Sequence, residues 1–117
     1  MDPDTPISLN VGGQLFETTV SVLTRDPFSI LAALCRRDSH YVEHPEEPFF
    51  FDRDWWIFRH ILPYLRSSVL PTDIDTLKEL YTEATFYRLE LLQKAIEDLP
   101  LDRIYDYNSP FSPATLP

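Results

Sequence analysis

Cysteine is all but missing from this chain of 117 residues. Cys35 is the single thiol, so no intramolecular disulfide can form and a cysteine-rich metal site lacks its second ligand. That usage fits a reducing compartment, and the cytoplasm is the expected location, with the nucleus as second choice. Glycine is almost as scarce, with two residues side by side at Gly12 and Gly13. A Walker-type phosphate loop needs a wider glycine spacing and a lysine, and a dinucleotide loop needs three glycines, so neither is present. No apolar run approaches the roughly 20 residues that span a bilayer, and the opening Met1-Asp2-Pro3-Asp4 is acidic where a secretory signal starts basic. No membrane insertion is expected. Basic residues are few as well: 10 Lys and Arg stand against 19 Asp and Glu, a formal net charge of -9. Such a field repels phosphate backbones, and the densest basic run, Arg36-Arg37, is followed at once by Asp38, so nucleic acid is not an expected partner.

What is abundant is apolar and aromatic surface, 44% and 14% of the chain, enough to bury one core. Ile7, Leu9 and Val11 alternate with Ser8 and Asn10 before the glycine pair, which predicts a hairpin whose second strand runs from Gln14 through Phe16, Thr18 and Val20. Asp26-Pro27 reads as an N-cap and first-turn proline for a short helix over SILAALC. Residues 36–48, charged and with two prolines, read as a loop, and Phe49 to Phe51 as a buried strand. Beyond Asp54, Ile57, Ile61, Tyr64 and Leu65 recur at helical spacing, with a bend expected at Pro63. Leu77, Tyr81 and Ala84 mark a further helix with Lys78, Glu79 and Glu83 facing water. A last helix, from about Tyr87, buries Leu89, Leu92, Ile96 and Leu99 and carries a Glu90–Lys94 pair. The expected organisation is one small α/β (α+β) domain over residues 6–99, a hairpin and short three-stranded sheet packed with about five helices. Residues 100–117, with four prolines and no apolar period, read as an extended or disordered tail.

Candidate chemistry is thin. Asp52 and Asp54 could pair as acid and base, but Arg53 between them keeps a neighbouring carboxylate ionised, and a helix N-terminus is the simpler use for both. His40 and His44 have helical metal-ligand spacing within a proline-containing loop. Cys35 closes an apolar helix, where a small buried hydrophobe is the default. No catalytic residue, cofactor or metal ligand is assigned, and no pocket is expected around Asp52, Asp54 or Cys35. Trp55 and Trp56 point about 100° apart on a helix, so one is expected in the core and the other either covered by a neighbouring segment or exposed as an interface anchor. Asn10, Glu17, Thr18 and Thr19 on the hairpin, with Asp52, Arg53 and Asp54 after the third strand, are polar groups on rigid backbone. Such groups suit directional contacts between subunits.

The ordered set Leu9-Asn10-Val11-Gly12-Gly13, Phe16-Glu17-Thr18-Thr19, Leu23, Ser29, Leu31, Phe50-Phe51-Asp52-Arg53-Asp54 and Phe58-Arg59-His60-Ile61-Leu62-Pro63-Tyr64-Leu65-Arg66 resembles the BTB/POZ domain of the potassium-channel tetramerisation type. The resemblance implies a BTB/POZ fold and a non-enzymatic module that forms rings of four or five identical copies through polar faces. Asn10, Glu17, Thr18, Thr19, Asp52, Arg53 and Asp54 are the expected interface, and Arg53→Glu is expected to separate such a ring into folded subunits. It also implies a role open to soluble relatives, as adaptors that bring substrates to a cullin scaffold of a ubiquitin ligase, or as modulatory partners that co-assemble with channels or longer relatives. Some channel relatives hold zinc between subunits. Here the corresponding stretch is Tyr81-Thr82-Glu83, so that site is expected to be missing.

Overall fold

The computed structural model describes residues 2–36 and 47–100. Within them the chain folds as a mixed α/β domain of three strands and six helical segments: β1 Pro6–Val11, β2 Gln14–Thr19, α1 Val20–Leu23, α2 Ile30–Ala33, β3 Phe49–Phe51, α3 Trp55–Phe58, α4 Ile61–Ser67, α5 Ile74–Tyr87 and α6 Glu90–Glu97. The hairpin turn falls at the glycine pair, where Gly12 and Gly13 both take positive φ, +58° and +98°. Sheet order is β2-β1-β3, with β1 antiparallel to β2 and parallel to β3.

Register sorts the strand residues onto two faces, since directly paired residues point to the same side. Ile7 opposite Thr18, Leu9 opposite Phe16 and Phe49, and Val11 opposite Phe51 form the inner face. Against it the helices contribute Leu23, Leu31, Phe58, Ile61, Leu77, Leu80, Tyr87, Leu92 and Ile96 to one continuous core. Phe58 meets Phe16 edge-on at 4.9 Å and Tyr87 at 5.5 Å, which sets α3 and the end of α5 on the inner side. Pro6, Ser8 and Asn10 with Thr19, Glu17, Leu15 and Phe50 make the outer face. Leu15 and Phe50 there are 58% and 57% exposed.

Four local expectations are corrected. Helix α2 takes Ser29, not Asp26, as its N-cap: Ser29 Oγ accepts the Ala32 N–H at 3.1 Å. Asp26 is buried and serves another helix instead. The helix anticipated through Pro63 is interrupted earlier, at Arg59 and His60, so Pro63 lies in the first turn of α4. First-turn N–H groups have no intrahelical acceptor, and the proline therefore removes nothing that the helix would use. Trp55 and Trp56 are both exposed, packed edge to face on each other at 5.5 Å. Lys94 pairs with Asp98 at 3.7 Å rather than with Glu90.

Candidate functional site

The seven candidate interface residues fall into two places. On the hairpin, Asn10 and Glu17 belong to the outer face, and Thr19 borders it opposite Pro6. Asn10 Oδ1 accepts the Gly13 N–H at 2.8 Å, which fixes the side chain beside the turn. Thr18 points the other way: it is buried against the core, and its Oγ1 has no hydrogen-bond partner. The second place is the loop between β3 and α3. Asp54 caps α3 by accepting the Trp56 N–H at 2.8 Å, the use that a helix N-terminus favours, and Asp52 is exposed.

Arg53 is the member of this loop whose surroundings differ most from expectation. Its Nη2 and Nε donate to Glu83 Oε1 and Oε2 at 2.6 and 3.2 Å, a two-pronged pair, and its guanidinium carbon lies 4.0 Å from the centre of the Phe86 ring. The hydrogen bond to Glu83 holds the guanidinium above its ordinary pKa. Glu83, expected to face water, is 8% exposed because α5 presents it to this cation. Alongside, burial pushes the Tyr87 phenol far up, with the Glu83 carboxylate adding to the effect. Gly12 completes the junction, its N–H donating to Phe51 O at 2.9 Å; a Cβ there would collide with the Arg53 carbonyl. Arg53→Glu would place a second carboxylate against Glu83, so it damages the subunit and is no clean probe of an assembly.

An open groove of about 430 Å³ does border Asp54, lined also by Ile57, Lys78, Glu79, Thr82 and Glu83. The expectation of no pocket near Asp54 is corrected. Yet the Asp54 and Glu83 carboxylates are already committed to a helix cap and to Arg53. In the stretch Tyr81-Thr82-Glu83, Tyr81 Oη donates to Glu97 at 2.6 Å and Thr82 Oγ1 to the Lys78 carbonyl at 3.1 Å. Cys35 is half-buried, and burial pushes its thiol up, away from the reactive thiolate. His40 and His44 lie outside the described residues, as do residues 101–117 of the tail.

Sequence reasoning missed Leu15 and Phe50 because alternation identifies a face without saying what covers it. It also missed Arg59, whose guanidinium carbon sits 3.8 Å from the Trp56 ring centre. The three-residue spacing on a helix could have disclosed that pair.

Comparison with known proteins matches the BTB/POZ domain family to residues 7–98. The chain belongs to the BTB/POZ family. The resemblance drawn from its motifs is thereby borne out, and so is the fold that it implied. Among curated relatives, BTB/POZ domain-containing protein KCTD14 of Homo sapiens is 40% identical over 96 residues, covering 82% of this chain and 37% of that protein. BTB/POZ domain-containing protein KCTD21 of Homo sapiens is 38% identical over 95 residues, 80% of this chain and 36% of that protein. FH protein interacting protein FIP2 of Arabidopsis thaliana is 42% identical over 95 residues, 79% and 32% respectively. The chain thus spans about a third of the length of these relatives. A BTB/POZ domain is a protein–protein interaction module, and among the described residues no helix is long and apolar enough to cross a membrane.

Proposed function

We propose that this BTB/POZ chain is a non-enzymatic module that associates with identical copies into a closed ring of four or five, acting in the cytoplasm. The observation that carries the reading is the separation of its polar candidates. Asn10, Glu17 and Thr19 lie on or beside the outer face of the sheet, whereas Asp52, Arg53 and Asp54 lie at the start of α3, which packs on the inner side. Two unlike patches on different sides favour head-to-tail contact, which forms a ring when the rotation between copies closes, over the self-complementary contact of a two-fold dimer. Polar residues at such contacts supply register and specificity. Sedimentation velocity at tens of micromolar tests the reading. A species of four or five times the 13.7 kDa of one chain is expected, and a stable monomer would retire it.

The finer role is that of an adaptor contacting a cullin scaffold. It rests on family membership and is tested by co-purification of the intact ring with a cullin, repeated failure counting against it. Co-assembly with channels or longer relatives is the second reading. It draws support from the same two patches, and mixing with such a relative should yield hetero-rings if it holds.

A further inference from the structure

Two exposed pairs of side chains lie on opposite sides of the sheet, and each joins an apolar group to a charge. On the outer face, Leu15 is 58% exposed, and Glu17, two residues on and on the same face, is exposed too. On α3, Trp56 is 54% exposed and carries the Arg59 guanidinium over its ring at 3.8 Å. Spacing within the two pairs is close: residues i and i+2 of a strand lie about 7 Å apart, and helical residues three apart about 5–6 Å.

Several charges among the described residues are already engaged in hydrogen bonds or ion pairs, and Glu17 and Arg59 are not among these. Asp54, Asp73 and Asp26 accept helix N–H groups, Glu83 holds Arg53, and Glu97 accepts from Tyr81. Arg66 donates to the Glu17 carbonyl at 3.0 Å, which anchors the strand and leaves the carboxylate without a described partner. Among the cations, Lys94 pairs with Asp98. Arg59 is the exposed cation seated on an exposed aromatic, a support that orders it before any partner arrives. Within one chain the pairs cannot meet, because Phe58 of α3 packs on Phe16 of the inner face while Leu15 and Glu17 occupy the outer one.

We infer that the outer-face pair Leu15 and Glu17 of one copy docks on the Trp56–Arg59 platform of the next, Leu15 against the indole and the Glu17 carboxylate on the guanidinium. The inference rests on the self-association reading and names its seam. Contact is head-to-tail, with acid meeting base and apolar meeting aromatic, in a chain whose net charge of -9 otherwise repels its own copies.

A charge-reversal cycle on the full chain decides it, read by sedimentation velocity with circular dichroism as the check on folding. Glu17→Arg and Arg59→Glu should each weaken self-association at least about tenfold, and the double reversal should recover most of the loss. Should either reversal unfold the subunit, Glu17→Gln and Arg59→Gln run the same cycle without like-charge repulsion, and coupling between the two losses is then the expected result. An oligomer whose size and affinity ignore both single changes overturns the seam and leaves the self-association reading standing. Two damaging single changes that the double reversal fails to relieve overturn it likewise. A wild-type monomer at tens of micromolar overturns both.

Discussion

A Cβ at Gly12 would collide with the Arg53 carbonyl, and the backbone there already sits at φ +58°. Gly12→Ala is therefore expected to lower stability by about 2 kcal/mol or more in chemical denaturation, whereas Gly13→Ala, with open space around its Cβ direction, bears only the φ penalty. Glu83 answers for the cation next door. Glu83→Ala should cost roughly 1.5–3 kcal/mol, the range for a hydrogen bond to a charged group, and free Arg53 from its two-pronged partner. His60 supplies the pH dependence. Its Nε2 is buried with no hydrogen-bond partner, and burial, followed by the Arg59 charge, holds its pKa below the ordinary value of about 6.5. Asp73 opposes that shift from the start of α5. The unfolded chain takes up the proton more readily, so the stability from neutral His60 is complete above about pH 6.5 and is lost as the pH falls toward its folded value. Urea midpoints should drop between pH 7.5 and 5.5, and His60→Gln should flatten that part of the slope.

At the scale of the element, the last helix is held by residues far from it in sequence. Leu89, the N-cap of α6, offers no side-chain acceptor, and Asp26, between α1 and α2, accepts the Leu91 N–H at 3.1 Å in its place. Tyr64 of α4 donates to the Leu91 carbonyl at 3.2 Å, so both backbone groups of one residue are tied to other elements. Asp26→Ala should cost about 1–2 kcal/mol, as loss of a helix cap does, with amide exchange in α6 accelerating before that in β1. Two helices also end in non-glycine residues with left-handed backbone, Ser68 at φ 57° and Arg88 at φ 58°. Ser68→Gly removes the Cβ strain and is expected to stabilise by about 1 kcal/mol, visible as a higher melting temperature.

For the whole molecule the seam makes a prediction about ring size. Glu17→Arg chains and Arg59→Glu chains should each associate poorly alone. Mixed in equal amounts, every contact between unlike chains pairs opposite charges, and a strictly alternating ring closes only with an even number of members. Native mass spectrometry of the mixture should show an alternating four-membered ring if the wild type has four copies. If the wild type has five, the mixture cannot reproduce its size without one repulsive contact.

The strands, the glycine turn, the later helices and the family were legible in the sequence, because each rests on local rules: a period of two or 3.6, a positive φ that glycine supplies, and motifs at fixed distances. Helix α1 was not, since its first residue, Val20, continued the strand alternation, nor was the break between α3 and α4. The same rules found the inner-facing residues of β1 and the Asp54 cap. They could not tell which polar residues meet across the fold. Arg53 and Glu83 are thirty positions apart, and Asp26 and Leu91 sixty-five, so those hydrogen bonds exist only once the helices have packed on the sheet. Tertiary structure likewise decided that both tryptophans stay in the open and that Leu15 and Phe50 stand exposed on the outer face, whereas the inward turn of Thr18 follows from its sharing the alternation of Phe16. Exposure is a property of what lies opposite a side chain, and the local pattern carries no information about that.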